Sequence, residues 1–184
     1  MILSFKTEIN GKPTFFVERI HKGLRDILNV GINTQIHYPS NYSFIVKDHC
    51  LPKIHTIRKD EKDRWEKGKQ IDFFINTRTK NMFRFSPPVP VVDTQEIFMT
   101  RRGSMLEITI AKIGSYIGGD DFYLDAFQQG ELSVNDGFDN YDDFRNYFME
   151  LIEENGKATG NYWFKGKIIH WTNLYYDERK AIHQ

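Results

Sequence analysis

The sequence predicts an α+β fold, with a mainly antiparallel sheet, open or closed into a barrel, and two or three flanking helices. Three observations carry this. The segments that read as strands mostly follow one another, where a parallel architecture would alternate them with helices. Only two segments show strong helical periodicity. Aromatic residues make up 15% of the 184 residues, which favours β structure and stacking surfaces. Hydrophobic residues reach 40%, enough for a sizeable core, and the length suits one domain.

Met1 to Ile9 alternates, with Leu3, Phe5, Thr7 and Ile9 on one side, and reads as a first strand. Asn10-Gly11 is a tight turn, because both residues tolerate positive φ. Pro13-Thr14 opens a helix with Thr14 as N-cap. Its apolar face is Phe16, Val17, Ile20, Leu24, Ile27 and Leu28, and Gly31 closes it. Residues 32–52 are weakly patterned, apart from a short strand at Tyr42–Val46. Ile71–Ile75 reads as a buried strand and Met82–Phe85 as another, before Ser86-Pro87-Pro88 breaks the ladder. Val89–Val92 and Gln95–Met99 are strand material, Arg101-Arg102-Gly103 a turn, and Met105–Ile113 an alternating strand. A short helix is expected through Asp125-Ala126-Phe127. Asn135-Asp136-Gly137-Phe138 is a turn. Asp139 or Asn140 then caps a helix with the stripe Phe144, Phe148, Leu151 and Ile152, ended by Gly156. A last strand runs from Tyr162 to Trp171, and the chain after Tyr176 is expected to fray.

Net charge is zero, with 25 basic and 25 acidic residues, but the charges are segregated. Residues 47–102 hold 13 basic and 8 acidic residues, a balance of +5; residues 120–154 hold 1 and 11, a balance of −10. This disfavours a protein that coats duplex nucleic acid and permits a local pocket for one nucleotide or a short single strand. Cys50 is the single cysteine, so no intrachain disulfide forms and a cytoplasmic location is expected. No signal-peptide pattern and no apolar run long enough for a membrane span is present. His37 and His49 lack partners at metal-ligand spacing, and neither HxxxH nor HExxH occurs. No metal and no cofactor is expected. Gly118-Gly119-Asp120-Asp121 lacks the phosphate-loop patterns and reads as a turn.

The chemically dense stretch is Lys53-Ile54-His55-Thr56-Ile57-Arg58, followed by Arg64-Trp65-Glu66-Lys67-Gly68. In a strand, Ile54, Thr56 and Arg58 share one face and His55 sits with Ile57 on the other. A strand presenting a hydroxyl beside a guanidinium suits an anionic or base-like ligand. Trp65 is the apolar anchor of a charged turn.

Lys53-x-x-Thr56-Ile57-Arg58, leading to Trp65-x-x-Gly68 and a strand, resembles the ASCH domain, a PUA-like β-barrel. Asp136-Gly137-Phe138, followed by the aromatic-rich helix from Tyr141 to Phe148, is similar to the second ASCH motif. The Phe5 strand and Ile20-x-x-Gly23 also fit. The resemblance implies a single ASCH/PUA-like domain over residues 1–176 and a tail at 177–184. Compact members pass from the first helix almost directly into the Lys-x-x-Thr strand. Here residues 24–52 intervene, so an insertion is expected at one rim of the pocket.

The resemblance implies a module that binds RNA or a modified nucleotide in a pocket at the barrel mouth. Arg58 would meet a phosphate or base edge. Trp65, Phe138 or Tyr141 would supply a stacking face, worth about 1–3 kcal/mol per base. The alternative is a small amidohydrolase acting on N4-acylated cytosine nucleosides. In the members it resembles, a lysine and a threonine work with a glutamate just before the second helix. Lys53 and Thr56 match those positions, and Asp136, one methylene shorter, best meets the third. Thr56 would be the nucleophile, Lys53 its base, and Asp136 the group that orients Lys53 or handles the leaving-group proton. A third reading is a ribonuclease using Lys53 and Arg58 on a phosphate.

Overall fold

The computed structural model describes residues 1–28 and 50–178. The expected Tyr42–Val46 strand, Gly31, His37, His49 and most of the 24–52 insertion lie outside those residues, as do 179–184. Within them the chain forms eleven short strands and three helices. They run β1 (Ile2–Phe5), β2 (Glu8–Ile9), β3 (Lys12–Pro13), α1 (Phe16–Leu28), β4 (His55–Arg58), β5 (Gln70–Ile75), β6 (Phe83–Arg84) and β7 (Val89–Pro90). There follow β8 (Asp93–Arg102), β9 (Met105–Ala111), β10 (Asp121–Tyr123), α2 (Ala126–Asn135), α3 (Tyr141–Thr159) and β11 (Trp163–His170).

The architecture is α+β with mostly antiparallel sheets. One sheet places β5 beside β1 in parallel and beside β6 and β7 antiparallel. The larger sheet is antiparallel throughout, in the order β10-β9-β8-β11-β4. β2 and β3 make a hairpin over Asn10-Gly11, whose φ values of 49° and 74° meet the double positive-φ demand of a two-residue turn.

Two apolar cores result. The first gathers Leu3 and Phe5 of β1, Phe16, Val17, Ile20 and Leu24 of α1, and Ile71, Phe73 and Ile75 of β5, together with Trp65 and Trp171. The second packs Phe144, Phe148 and Ile152 of α3 and Leu132 of α2 against Ile97, Met99, Ile108 and Ile110 of the large sheet. Successive residues of β11 point opposite ways, so Ile168 joins the second core and Ile169 the first. The alternation read in the sequence at Leu3 and Phe5 is thus a burial pattern of the first core, and Ile71, Phe73 and Ile75 of the expected buried strand join the same core.

Several boundaries differ from expectation. The first nine residues do not form one strand: the chain bends after Phe5 and pairs again as β2. Helix α1 begins at Phe16 rather than just after Thr14. The Thr14 hydroxyl donates to the Lys6 carbonyl at 2.7 Å and still accepts from Phe16 N–H at 3.4 Å, while Phe15 sits at φ 51°. Arg101 and Arg102 belong to β8, and the turn is Gly103-Ser104. The short helix near Asp125 is the ten-residue α2, capped by Asp125 with a reciprocal Gln128 bond, and β10 precedes it. Helix α3 passes through Gly156 and ends at Gly160, because Gly156 admits the Tyr162 ring against the helix. Of the chain after Tyr176 only Asp177 and Glu178 are described, and the Asp177 carbonyl accepts from Gln128 at 2.9 Å.

Gly23 brings α1 onto the start of the central segment. A β-carbon there would stand 2.6 Å from the Lys53 carbonyl oxygen and 3.2 Å from Ile54 Cγ2. Alanine is the better helix former by about 1 kcal/mol. The clash is with backbone, so Gly23→Ala is expected to destabilise the fold by about 1–3 kcal/mol. Urea unfolding of the two proteins measures this; an unchanged or higher midpoint would show that α1 has room to move.

Candidate functional site

Lys53 is positioned by backbone bonds before its side chain is considered. Its N–H donates to the Arg19 carbonyl of α1 at 3.0 Å, and the next N–H, of Ile54, donates to the Asn135 carbonyl at the end of α2 at 3.0 Å. Asp136 follows as the C-cap of α2, its own N–H returning to Leu132. Gly137 then turns at φ 90°. A β-carbon there would meet Lys53 Cδ at 2.9 Å and the Phe16 ring at 3.0 Å, so only glycine leaves the lysine its path.

The side chains meet in the interior. Lys53 Nζ donates to Asp136 Oδ1 at 2.7 Å and also to the Asp136 carbonyl. The same Oδ1 accepts from Ile57 N–H of β4 at 3.1 Å. Lys53 is 1% exposed and Asp136 5%. Lys53 Nζ stands 4.9 Å from the Phe16 ring centroid and 5.8 Å from that of Phe5. Burial lowers Lys53 from the ordinary lysine range to about 8, against the opposing pull of Asp136, with Arg58 and Arg19 adding to the lowering. Burial likewise pushes the Asp136 carboxyl up, opposed chiefly by Lys53. Both groups are displaced toward neutrality by the same dry surroundings.

The pair forms one wall of a cavity of about 250 Å³. Lys53, Thr56, Arg58 and Asp136 all line it, with Phe16, Phe138 and Tyr147 as its aromatic walls. Thr56 is buried, and its hydroxyl has no hydrogen-bond partner among the described residues. Arg58 is half-buried: its guanidinium donates to the Ser4 carbonyl at 2.9 Å and lies 5.1 Å from the Phe5 ring centroid. A second cavity of about 190 Å³ shares Ile9, Phe16, Phe138 and Tyr147 with the first. Its remaining lining includes Asp139, Asp143 and Glu150 together with Lys12. Lys12 pairs with Asp143 at 3.3 Å and Arg19 with Asp139, so carboxylates outnumber cations in this lining, while Lys6, Lys53 and Arg58 make the first cavity basic.

Of the seven residues singled out from the sequence, five come together: Lys53, Thr56, Asp136, Arg58 and Phe138. Trp65 does not. It is buried in the first core, its N–H held by Asp60 at 2.8 Å, and offers no stacking face. Tyr141 packs on Phe144 and donates its hydroxyl to Gln129, outside both cavities. Tyr147 takes the place expected of Tyr141. Burial raises its hydroxyl above the ordinary tyrosine range, so it serves as a neutral donor. Its signal was present in the sequence: Asp143, Tyr147 and Glu150 recur at spacings of four and three, which puts them on one face of α3. Phe16 was read as core, and it serves both core and cavity wall.

A basic strand, a carboxylate and a hydroxyl around one cavity can bind a polar planar ligand and can transfer an acyl group. Among the described residues no group of three or more histidines, cysteines or carboxylates is placed to hold a metal ion. No helix among them is long and apolar enough to cross a membrane. Comparison with family models, curated proteins and solved structures found no match to this chain.

Removing one member of a buried ion pair strands the other charge, which costs about 3–5 kcal/mol. Asp136→Ala is therefore expected to destabilise strongly, and Lys53→Met combined with Asp136→Ala to recover most of that loss. Equal unfolding midpoints for the wild type and the single variant would show that the pair adds nothing to stability.

Proposed function

We propose that this chain is an ASCH-like protein with PUA-type architecture, its two sheets forming the two halves of the barrel. Its cavity takes a single modified pyrimidine nucleoside and hydrolyses the N4-acyl amide. The observation that carries this reading is the unbonded Thr56 hydroxyl sharing one small cavity with a buried lysine whose Nζ is held by a carboxylate. A perturbed lysine in a cleft beside a hydroxyl is the pattern of an activated nucleophile.

The chemistry runs in two steps. Neutral Lys53 takes the proton of Thr56 as its oxygen attacks the amide carbonyl. The resulting lysinium returns the proton to the leaving N4 amine as the carbon–nitrogen bond breaks, and an acyl-threonine ester remains. Water, deprotonated by Lys53, then attacks the ester carbonyl; as the ester carbon–oxygen bond breaks, the lysinium returns that proton to the Thr56 oxygen and the carboxylic acid is released. Asp136 keeps Lys53 pointed at this position through both steps. Phe138 and Tyr147 flank the base. A cavity of about 250 Å³ suits one base better than an oligonucleotide. The carboxylates of the adjoining cavity would repel a phosphodiester, which favours a nucleoside over RNA.

One observation favours a second reading, binding without turnover. With a pKa of about 8, Lys53 is mainly protonated at pH 7, and an ammonium held by a carboxylate is a donor to a ligand carbonyl rather than a base.

A panel of N4-acylated cytosine nucleosides, followed by chromatography, separates the two. Thr56→Val keeps the shape of the side chain and is expected to abolish turnover with the fold intact, while Thr56→Ser retains part of it. Because the basic form of Lys53 is the reactive one, kcat/KM should rise about tenfold per pH unit below the lysine's pKa and level off above about 8. Nucleoside binding with no product at any pH would establish the second reading. A rate independent of pH from 6 to 9 would remove Lys53 from the role of base.

A further inference from the structure

Of strand β4, Thr56, Ile57 and Arg58 line the cavity, whereas His55 does not. His55 is wholly buried, and its ring is bracketed by two polar groups. On one side Nε2 lies 2.8 Å from the Tyr176 hydroxyl oxygen. On the other Nδ1 lies 3.8 Å from Asp136 Oδ1, the oxygen that holds Lys53, and Nδ1 has no hydrogen-bond partner. Tyr176 is itself anchored: its N–H donates to Gln95 Oε1 at 2.9 Å and its carbonyl accepts from Gln95 Nε2 at 2.7 Å.

The proton count decides the tautomer. The Tyr176 oxygen accepts from Asn135 Nδ2 at 3.0 Å. A phenol carries one proton, so with Asn135 donating to its oxygen that proton is available to His55 Nε2. A neutral imidazole that accepts at Nε2 carries its own proton on Nδ1, directed toward the Asp136 carboxylate. The opposite tautomer would set a bare nitrogen lone pair against a carboxylate in a dry interior, where such repulsion is least screened. The ring is held neutral by burial, with His170 at 5.7 Å between ring centroids and Lys53 adding to the effect. The groups facing His55 are thus Asp136, Lys53, His170 and Tyr176.

We infer that His55 is a positioning residue, whose Nδ1–H, set by Tyr176 and Asn135, steadies the Asp136 carboxylate that holds Lys53. This deepens the proposed function and rests on its assignment of Lys53 and Asp136. The 3.8 Å separation is longer than a hydrogen bond, and such contacts commonly shorten when a ligand closes the site. A chain of polar groups then runs from Asn135 through Tyr176, His55 and Asp136 to Lys53. It links the segment after β11 to the cavity, with Tyr176, His55, Asp136 and Lys53 all buried and Asn135 partly exposed at its outer end.

Two measurements on the full chain test this. The first is the tautomer, read from the ring-nitrogen resonances of histidine-¹⁵N-labelled protein, with His55 assigned by its loss in a variant. The expected result is a protonated Nδ1 and an unprotonated Nε2. An Nε2–H ring or an imidazolium would overturn the inference. The second compares His55→Asn, whose amide nitrogen takes the place of Nδ1, with His55→Gln, whose amide reaches toward Tyr176. His55→Asn is expected to stay within a few-fold of wild type in kcat, and His55→Gln to lose roughly 10- to 100-fold with KM unchanged, the range for groups that orient a reacting side chain. Equal losses in the two would mean that the ring only fills space. If wild type turns over none of the nucleosides, the proposed reaction fails by itself. The inference is then decided by the tautomer and by the Lys53 titration followed by NMR, which should match wild type in His55→Asn and move in His55→Gln.

Discussion

A lysine and an aspartate far apart in sequence meet in the buried interior, at the wall of one cavity. That pairing organises the molecule. Lys53 enters from the segment leading into β4, and Asp136 from the turn between α2 and α3. Each would be costly to bury alone, by several kcal/mol. Together they tie the turn to the strand, and the Ile57 and Ile54 N–H groups complete the seam through Asp136 Oδ1 and the Asn135 carbonyl. The first core lies on one side of this seam and the second on the other, and the cavity opens along it. An apolar pair could hold the two cores together equally well. It could not place a titratable nitrogen in the same cavity as the Thr56 hydroxyl.

The segregation of charge along the chain has the same logic. The acidic residues of the second half are met by basic residues from the first: Lys12 reaches Asp143, Arg19 reaches Asp139 and Arg101 reaches Glu153. Exposed pairs of this kind each stabilise by less than about 1 kcal/mol, so they set orientation more than stability. At the outer cavity they set Lys12 against Asp143 and Arg19 against Asp139, while Lys6, Lys53 and Arg58 line the inner one.

Helices and strands with an unbroken period were legible in the sequence. The α3 stripe of Phe144, Phe148 and Ile152 is buried as its spacing requires, and Leu3, Phe5, Ile71, Phe73 and Ile75 face one core. What went unread has specific causes. Thr14 looks like a cap, but its hydroxyl is drawn to the Lys6 carbonyl across the β2–β3 hairpin. Gly156 looks like a stop, but it is a notch for Tyr162. β10 is three residues long and exists because β9 offers it an edge. In each case a partner distant in sequence overrode a local signal. Trp65 and Tyr141 show the same for the site, since composition marks an aromatic as able to stack but says nothing of whether its face is covered.

The residues alone determined the α+β class and the two strong helices, because periodicity is a local property of the chain, and they named seven candidates of which Lys53, Thr56, Arg58, Asp136 and Phe138 share one cavity. Tertiary structure decided the rest. It set which carboxylate Lys53 meets, how far burial displaces that lysine, and that Tyr147 rather than Tyr141 lines the cavity. It also turned His55 away from the cavity, toward Asp136 and Tyr176. Those outcomes depend on distances between segments dozens of residues apart and on the exclusion of water around them, and neither quantity exists until the two cores have closed on the seam.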